Sequence, residues 1–323
     1  MPISSVGVAS LAIGAGAVAI IYFARRRRLQ QVVLPPAPFP PPALVISLAR
    51  FPAARAAVKK RAAEAGLSEV TIFEAVDGRD LSPDELQRQG IATYAGWKQP
   101  DSTFRFFNRE LKWGEVGCAL SHIGVWRTIS ESPTMPVAIV LEDDVDFAPR
   151  FAELLREALD EVRYLFAAGA LPSGHPDALY LGRKAMRPEH DKLLPRAAEA
   201  AQEMHANGGG GSKPSVRLCI PGFSYKTTAY VLWRSGAQKL LASGYERKLI
   251  PVDDFLGLTY TPHAPTATDA RADLDELFAG APRLNMLAVR PSLCWERRGI
   301  SSTENSTLIT EQARPPRREK SST

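Results

Sequence analysis

Cysteine is scarce in this chain of 323 residues, which contains Cys118, Cys219 and Cys294. An odd number of cysteines at wide spacings excludes a zinc ribbon and a dense disulfide framework. A single disulfide bond between Cys219 and Cys294 is one alternative that the sequence does not exclude. Free thiols are the favoured interpretation, because unpaired cysteine is among the residue types most often buried.

A basic stripe interleaved with aromatic residues is also missing. The net charge of +5 depends on residues 25–28, four consecutive arginines, and the rest of the chain is close to neutral. The sequence therefore predicts no nucleic-acid partner. Hydrophobic residues make up 45% of the chain, which excludes global disorder and is enough for one large domain or two small ones.

No positively charged segment precedes the first apolar stretch, which argues against a cleaved signal peptide. Residues 6–23, VGVASLAIGAGAVAIIYF, carry no charge. As a helix rising about 1.5 Å per residue, they would just cross a hydrocarbon core. The arginines and a proline-rich stretch follow. The sequence thus predicts a single-pass membrane anchor with a basic flank at 1–28 and a stiff linker at 29–42.

Folded sequence begins at residue 43 and continues to about residue 307. Apolar runs typical of buried strands alternate with helical segments, which predicts an α/β domain with parallel strands: ALVISL (43–48), EVTIFEA (69–75), VAIVL (137–141), ALYLG (178–182), TTAYVLW (227–233) and LNMLAVR (284–290). Residues 185–217 contain NGGGG and lack periodicity, so they predict a flexible loop. Residues 308–323 predict a disordered tail.

Four carboxylates crowd the end of one predicted strand. The segment VAIVLEDDVDF (137–147) contains Glu142, Asp143, Asp144 and Asp146. Ligands bind at the carboxyl ends of strands in α/β sheets. Four carboxylates in five residues repel one another, and a bound cation would offset this electrostatic cost. Mn²⁺ and Mg²⁺ prefer oxygen ligands and commonly join carboxylates to substrate phosphates. The cluster predicts a metal–diphosphate site, with a solvated turn capping the next helix through Asp146 as the alternative.

The same acids are similar to the start of a haloacid-dehalogenase-type phosphatase. In that alternative, Asp144 would be the nucleophile and Asp146 the acid. Phe147 and Ala148 depart from the pattern of that family, and about 100 folded residues precede the motif instead of a few.

Several stretches in order resemble glycosyltransferase family 25, which includes collagen hydroxylysine galactosyltransferases and bacterial lipooligosaccharide galactosyltransferases. They are VISLARFPAAR (45–55), AVDGRDL (75–81), GEVGCALSHIGVW (114–126), VLEDDVDF (140–147), YLGRK (180–184), YKTTAYVLWRSGAQKLL (225–241), LIPVDDFL (249–256) and RPSLCWERRGISSTENST (290–307). Ser47 stands where that family usually has asparagine. The resemblance implies a GT-A-type, Rossmann-like domain with a mixed central sheet. It also implies inverting transfer of a sugar, usually galactose, from a UDP-sugar to a protein or glycan hydroxyl, typically with Mn²⁺.

Such a transfer needs stabilisation of charge on the leaving diphosphate and a base for the acceptor hydroxyl. Asp144 is the predicted main metal ligand, with Glu142 beside it, and His263 could complete the coordination. Asp253 in PVDDFL is the candidate base, and Asp254 is the alternative. Both acids could instead cap a short helix.

Apolar residues recur at spacings of three and four in 114–132, which predicts an amphipathic helix. Donor-binding residues are expected after the first two strands, in this helix and in the acidic cluster. The candidates are Leu48, Arg50, Arg55, Asp77, Gly78, Ser121, His122, Glu142 and Asp143. An arginine fork suits a diphosphate. The simpler alternatives are a solvated helix residue for Arg55, an ordinary tight turn for Asp77 and Gly78, and a core histidine for His122.

Two further questions stay open at the level of sequence. A catalytically inactive, membrane-tethered binding module is a third functional class beside the transferase and the phosphatase. The arginine run after the anchor favours a cytosolic domain, whereas the similarity of the closing segment to collagen-type members favours the ER or Golgi lumen, which we prefer. Asn305 begins an N-S-T glycosylation sequon, which matters only in the lumen.

Overall fold

The computed structural model of the chain describes residues 39–195, 216–266, 268, 270–297 and 308. The anchor predicted at 1–28, most of the linker, the centre of the predicted loop and nearly all of the predicted tail lie outside these residues, as does Asn305. Within the described part of the chain, no helix is both long and apolar enough to span a bilayer.

A large mixed sheet forms the centre of the domain. The strands are β1 (Ala43–Ser47), β2 (Val70–Glu74), β3 (Val137–Glu142), β4 (Val145–Phe147), β5 (Ala178–Ala185), β6 (Lys192–Leu193), β7 (Arg217–Ile220), β8 (Ser224–Trp233), β9 (Met286–Arg290) and β10 (Cys294–Glu296). Eight of them form one sheet in the order β2-β1-β3-β8-β5-β9-β7-β6, and β4 pairs with β10 separately. Strand β1 runs parallel to both β2 and β3, while β8 is antiparallel to β3 and β5.

Helices cover both faces of this sheet. They are α1 (Pro52–Glu64), α2 (Pro83–Arg88), α3 (Trp113–Glu131), α4 (Phe151–Ala167), α5 (Arg234–Ala242), α6 (Val252–Leu258) and α7 (Ala272–Leu277). In β3, Ala138 and Val140 pack in the core that contains α3, α5 and α6, and Ile139 and Leu141 pack in the core that contains α1 and α4. Burial on both faces is the reason that this strand is apolar throughout.

Local signals placed most of these elements correctly. The Ser82 hydroxyl accepts the Glu85 amide at 3.2 Å and caps the start of α2. The described part of the predicted loop at 185–217 contains β6, which pairs with β7 at the end of that range. A buried ion pair between Arg183 and Asp191 ties the start of this segment to β5.

All three cysteines are free thiols, as expected from their number. Cys219 and Cys294 are buried, and burial raises the pKa of Cys219 to about 11. Neither is ionised at neutral pH, which suits a packing role.

Gly78 lies where the turn after β2 meets the start of α3. A Cβ at this position would lie 2.2 Å from the backbone oxygen of Trp113. We therefore expect Gly78→Ala to lower the free energy of unfolding by about 1–3 kcal/mol, measured by urea unfolding. The control is Gly280→Ala, since no described atom lies within 4 Å of its added carbon. Equal stability of the two variants would contradict the close approach.

Candidate functional site

One cavity lies at the carboxyl ends of β1, β2 and β3, where ligands bind in α/β sheets. It collects most of the residues that the sequence singled out, and its lining includes Leu48, Arg50, Asp77, Gly78, Ser121, Glu142, Asp143, Asp144 and Asp253. Four other candidates are absent from the described lining: Arg55, His122, Asp254 and His263.

Arginines and an aspartate form one wall of the cavity. Arg50 donates from Nε to Asp77 at 2.6 Å, and Arg79 donates to the same carboxylate at 2.8 Å. Burial alone would raise the pKa of Asp77, but the hydrogen bonds from Arg79 and Arg50 outweigh it and hold the pKa below its usual value. This wall therefore stays charged at neutral pH and carries guanidinium donors suited to a phosphate or a nucleotide.

Two other candidates hold the backbone of this wall. The Ser121 hydroxyl accepts the Val76 amide at 2.8 Å and donates to the Gly117 carbonyl at 2.6 Å, so it fixes the turn after β2 to α3. Arg55 donates to the Ser47 carbonyl at 2.8 Å. Arg55 thus supports the end of β1 from outside the cavity.

The carboxylates at the end of β3 differ in their hydrogen bonding. Glu142 accepts the Thr227 hydroxyl at 2.6 Å, and Asp143 accepts the Ser47 hydroxyl at 2.5 Å. Asp144 has no such support, and its buried Oδ1 lacks a hydrogen-bond partner among the described residues. Burial, followed by the charge of Glu142, raises the pKa of Asp144 to about 8.

This orphaned oxygen fits a hard divalent cation. Asp144 lies among carboxylates of Glu142, Asp143 and Glu296, whose charges disfavour its ionised form. A cation of the Mg²⁺ or Mn²⁺ type would reverse this cost and would find the oxygen ligands it prefers. The described residues therefore suit such a metal, with Asp144 as its main ligand.

Asp146 faces a different way from its neighbours. It lies on β4, within 3.5 Å of Arg61 and 3.6 Å of Arg297. It neither lines the cavity nor caps α4, where no side chain provides a capping hydrogen bond. Asp144 lies in the turn between β3 and β4, whereas Asp146 lies on β4, where it pairs with Trp295 of β10.

The two acids at the start of α6 also separate. Asp253 lines the cavity, and burial together with the charge of Asp254 raises its pKa to about 7. Asp254 is fully buried, and its Oδ1 lies 3.1 Å from Nε2 of His263. Burial raises the pKa of Asp254 to about 8 and lowers that of His263 to about 4. The structure thus brings Asp253 into the cavity and pairs His263 with Asp254, and neither His263 nor Asp254 is among the described lining residues.

His122 is completely buried and belongs to a chain of polar side chains. The Trp126 indole donates to the Tyr230 hydroxyl at 2.9 Å, and that hydroxyl lies 2.9 Å from Nδ1 of His122. Indole nitrogen only donates, so the Tyr230 hydrogen has the His122 Nδ1 as its acceptor. The ring hydrogen of His122 is then on Nε2, which lies 3.6 Å from Glu142.

The side chains of Cys118, His122 and Glu142 form a second group with metal-binding atoms, all within 4.8 Å of one another. A metal on His122 would need the lone pair of Nε2, which the hydrogen-bond chain occupies with a proton. Binding there would leave the Tyr230 hydrogen without an acceptor, which is costly in the core. The better interpretation of His122 is a core residue that holds the Tyr230 hydroxyl, since its Nε2 makes no hydrogen bond to a described residue.

Tyr230→Phe should therefore destabilise the fold. Removing the hydroxyl leaves the Trp126 indole and the His122 ring without their partner, and each loss costs about 1–3 kcal/mol. Urea unfolding should show a loss of about 2 kcal/mol or more. Tyr164→Phe, on the exposed side of α4, is the matched control and should change stability by less than about 0.5 kcal/mol. Similar values for the two variants would refute the hydrogen-bond chain.

Sequence reasoning missed several polar residues that line the cavity, among them Arg79, Lys226, Thr227 and Glu296. Lys226 and Thr227 stand near the start of β8, in a stretch whose sequence predicts a strand but marks neither residue as functional. Glu296 reaches the cavity because β10 pairs with β4 directly after Asp144. No spacing signal links these positions, although both segments belong to stretches with family resemblance.

The family model described as glycosyltransferase family 25 (LPS biosynthesis protein) matches residues 41–256. A glycosyltransferase 25 family member of Drosophila pseudoobscura pseudoobscura is 34% identical over 275 residues, covering 83% of this chain and 37% of that protein. Procollagen galactosyltransferase 2 of Homo sapiens is 32% identical and covers 74% of this chain and 33% of that protein. A probable inactive glycosyltransferase 25 family member 3 of Bos taurus is 33% identical and covers 81% and 39%.

The chain spans between a third and two fifths of the length of these curated relatives. Among solved structures, mouse xyloside xylosyltransferase 1 in its apo form has a TM-score of 0.29 and 11% identity, covering 77% of this chain and 96% of that chain. That similarity is too low to assign a fold or a function. The family model, by contrast, matches most of the described domain, and the chain belongs to glycosyltransferase family 25.

Proposed function

We propose that this chain is an inverting glycosyltransferase of GT-A architecture. It transfers a sugar, with galactose as the favoured choice, from a UDP-sugar to a hydroxyl group on a protein or glycan. The observation that carries the proposal is the meeting of Asp144 and Asp253 in one cavity at the strand ends. Family membership and a relative named procollagen galactosyltransferase 2 support the reaction and the sugar.

The side chains of the cavity divide the chemistry between them. The guanidinium groups of Arg50 and Arg79 offer donors to the nucleotide. Asp253, with a pKa near 7, takes the proton of the acceptor hydroxyl as that oxygen attacks the anomeric carbon. Mn²⁺ or Mg²⁺, held by Asp144 with Glu142, would supply charge neutralisation for the departing diphosphate.

The test is a screen of UDP-sugars with the full chain in the presence of Mn²⁺ or Mg²⁺. We expect UDP to bind and UDP-galactose to be hydrolysed or transferred in a metal-dependent way. Absence of UDP binding at saturating Mn²⁺ would overturn the proposal. Phosphate release from a phosphomonoester, with a trapped aspartyl-phosphate, would identify a phosphatase instead.

The position of Asp146 argues against the phosphatase mechanism. Its mechanism needs Asp144 and Asp146 at the same reacting atom, whereas Asp146 is bound to Arg61 and Arg297 outside the cavity. A second candidate function, an inactive binding module, is favoured by the relatives named inactive. UDP binding without turnover on any hydroxyl acceptor would indicate that function.

A single-pass anchor and a luminal domain remain part of the proposal. The anchor sequence and the Asn305 sequon lie outside the described residues. The apolar run 6–23 supports the anchor, and the resemblance of the closing segment to collagen-type members supports the lumen. A glycosidase-sensitive mass shift that disappears in Asn305→Gln would support a lumen. A protease-accessible domain in intact vesicles would place it in the cytosol.

A further inference from the structure

Lys226 has an unusual backbone conformation at the edge of the cavity. Its φ is +77°, and Arg150 is the other non-glycine residue with positive φ in the described part of the chain. A long L-side chain rarely adopts this region, and such strain is found preferentially at functional sites. The strained backbone at Lys226 therefore indicates a functional role for this side chain.

The strand is also irregular at this point. Strand β8 pairs with β5 through Ala229 with Gly182 and through Tyr225 with Lys184, and the register shifts between these pairs. Three residues that begin with Lys226 therefore oppose one residue of β5. Bulges of this kind re-aim side chains and often lie beside active sites. Here the irregular segment contributes Lys226 to the cavity lining.

The ammonium group lies among acids. Nζ of Lys226 is 2.6 Å from Oε2 of Glu296 on β10. The charges of Glu142 and Asp253 also act on Lys226, and its backbone amide lies 3.5 Å from Asp253. Its side chain is 38% exposed, which leaves it room to move.

Three cationic side chains line the cavity within the described residues: Arg50, Arg79 and Lys226. Both arginines form ion pairs with Asp77, which follows β2. Lys226 is therefore the cation placed with the carboxylates at the end of β3. Glu296 lies on a short strand and is partly exposed, so its bond to Lys226 can be exchanged for a ligand oxygen.

We propose that Lys226 binds the diphosphate of the donor by exchanging Glu296 for a phosphate oxygen. This inference rests on the proposed function and adds a residue to it. An ammonium group is a compact cation that binds phosphate well, and its contact strengthens as the leaving diphosphate gains charge. A purely structural tie between β8 and β10 is the competing explanation.

The two explanations differ in the sign of one effect. If Lys226 only ties β8 to β10, Lys226→Met and Glu296→Gln both weaken the fold and neither alters UDP affinity. If Lys226 binds diphosphate, Lys226→Met weakens UDP binding by about 10- to 100-fold. Glu296→Gln then tightens UDP binding, because it removes the competing carboxylate.

The experiment is calorimetric titration of the full chain with UDP and with uridine, each with and without Mg²⁺. Lys226→Met should lose affinity for UDP and keep that for uridine, since uridine has no phosphate. Lys226→Arg should retain UDP binding within about threefold because a guanidinium group also binds phosphate oxygens. Lys60→Met, an exposed lysine of α1 with the same change of charge, is the control.

The outcomes separate this inference from the proposed function. If the unaltered chain does not bind UDP, the proposed function and this inference both fail. If it binds UDP and Lys226→Met binds equally tightly, only the role of Lys226 fails. Should Lys226→Met not fold, Glu296→Gln decides: tighter UDP binding supports the exchange, and unchanged binding overturns it.

Discussion

Asp144→Asn should abolish sugar transfer while leaving the protein folded. The substitution removes the charge of the carboxylate whose Oδ1 has no partner in the described structure, and with it the main ligand proposed for the metal. We expect kcat/KM for the UDP-sugar to fall by about 10³-fold or more. Steady-state kinetics with Mn²⁺ measures this loss, and circular dichroism checks the fold.

The matched control for this variant is Asp146→Asn, two residues along the chain. It makes the same chemical change in a carboxylate that faces Arg61 and Arg297 rather than the cavity. We expect its activity to stay within about threefold of the unaltered protein, since surface ion pairs contribute little. Equal losses in both variants would mean that the loss reflects the loop as a whole and not the metal ligand.

Asp253→Asn should lower kcat by about 10²- to 10⁴-fold and leave the KM of the donor nearly unchanged. An amide can occupy the same space in the cavity but cannot take a proton from the acceptor. The pKa of Asp253 near 7 has a second consequence. Since a base works in its deprotonated form, the rate of the unaltered protein should rise with pH through about 7. The residual rate of the variant should lack that rise.

Asp254→Asn tests the neighbouring acid under the same conditions. Asp254 is buried against His263, and an amide can keep that hydrogen bond. Its kcat and its pH profile should therefore resemble those of the unaltered protein. Loss of activity in Asp254→Asn with retention in Asp253→Asn would reverse the assignment of the base.

Strands and helices could be predicted where the pattern of apolar residues within a single segment was enough to identify them. Strands β1 and β3 are short apolar runs buried on both faces, and buried apolar residues of α3 recur at spacings of three and four. Acids that follow β3 reach the strand ends because a parallel sheet has all its carboxyl ends at one edge. For this reason Glu142, Asp143 and Asp144 could be assigned to a site without knowledge of the tertiary structure.

The remaining site depends on long-range pairing that no local pattern encodes. Lys226 enters the cavity through an irregular register between β5 and β8. Glu296 enters it on a three-residue strand that is too short to show periodicity. His263 was assigned to the metal from its residue type, and its position against Asp254 depends on burial that the sequence does not reveal.

The pairing of β10 with β4 has a practical consequence for anyone who trims this protein. The family model ends at residue 256, yet β9 lies inside the large sheet and β10 brings Glu296 to the cavity. A fragment cut at the family boundary would lose an internal strand and the part of the cavity lining that contains Glu296. Shortened versions meant for enzymology must extend at least through residue 297.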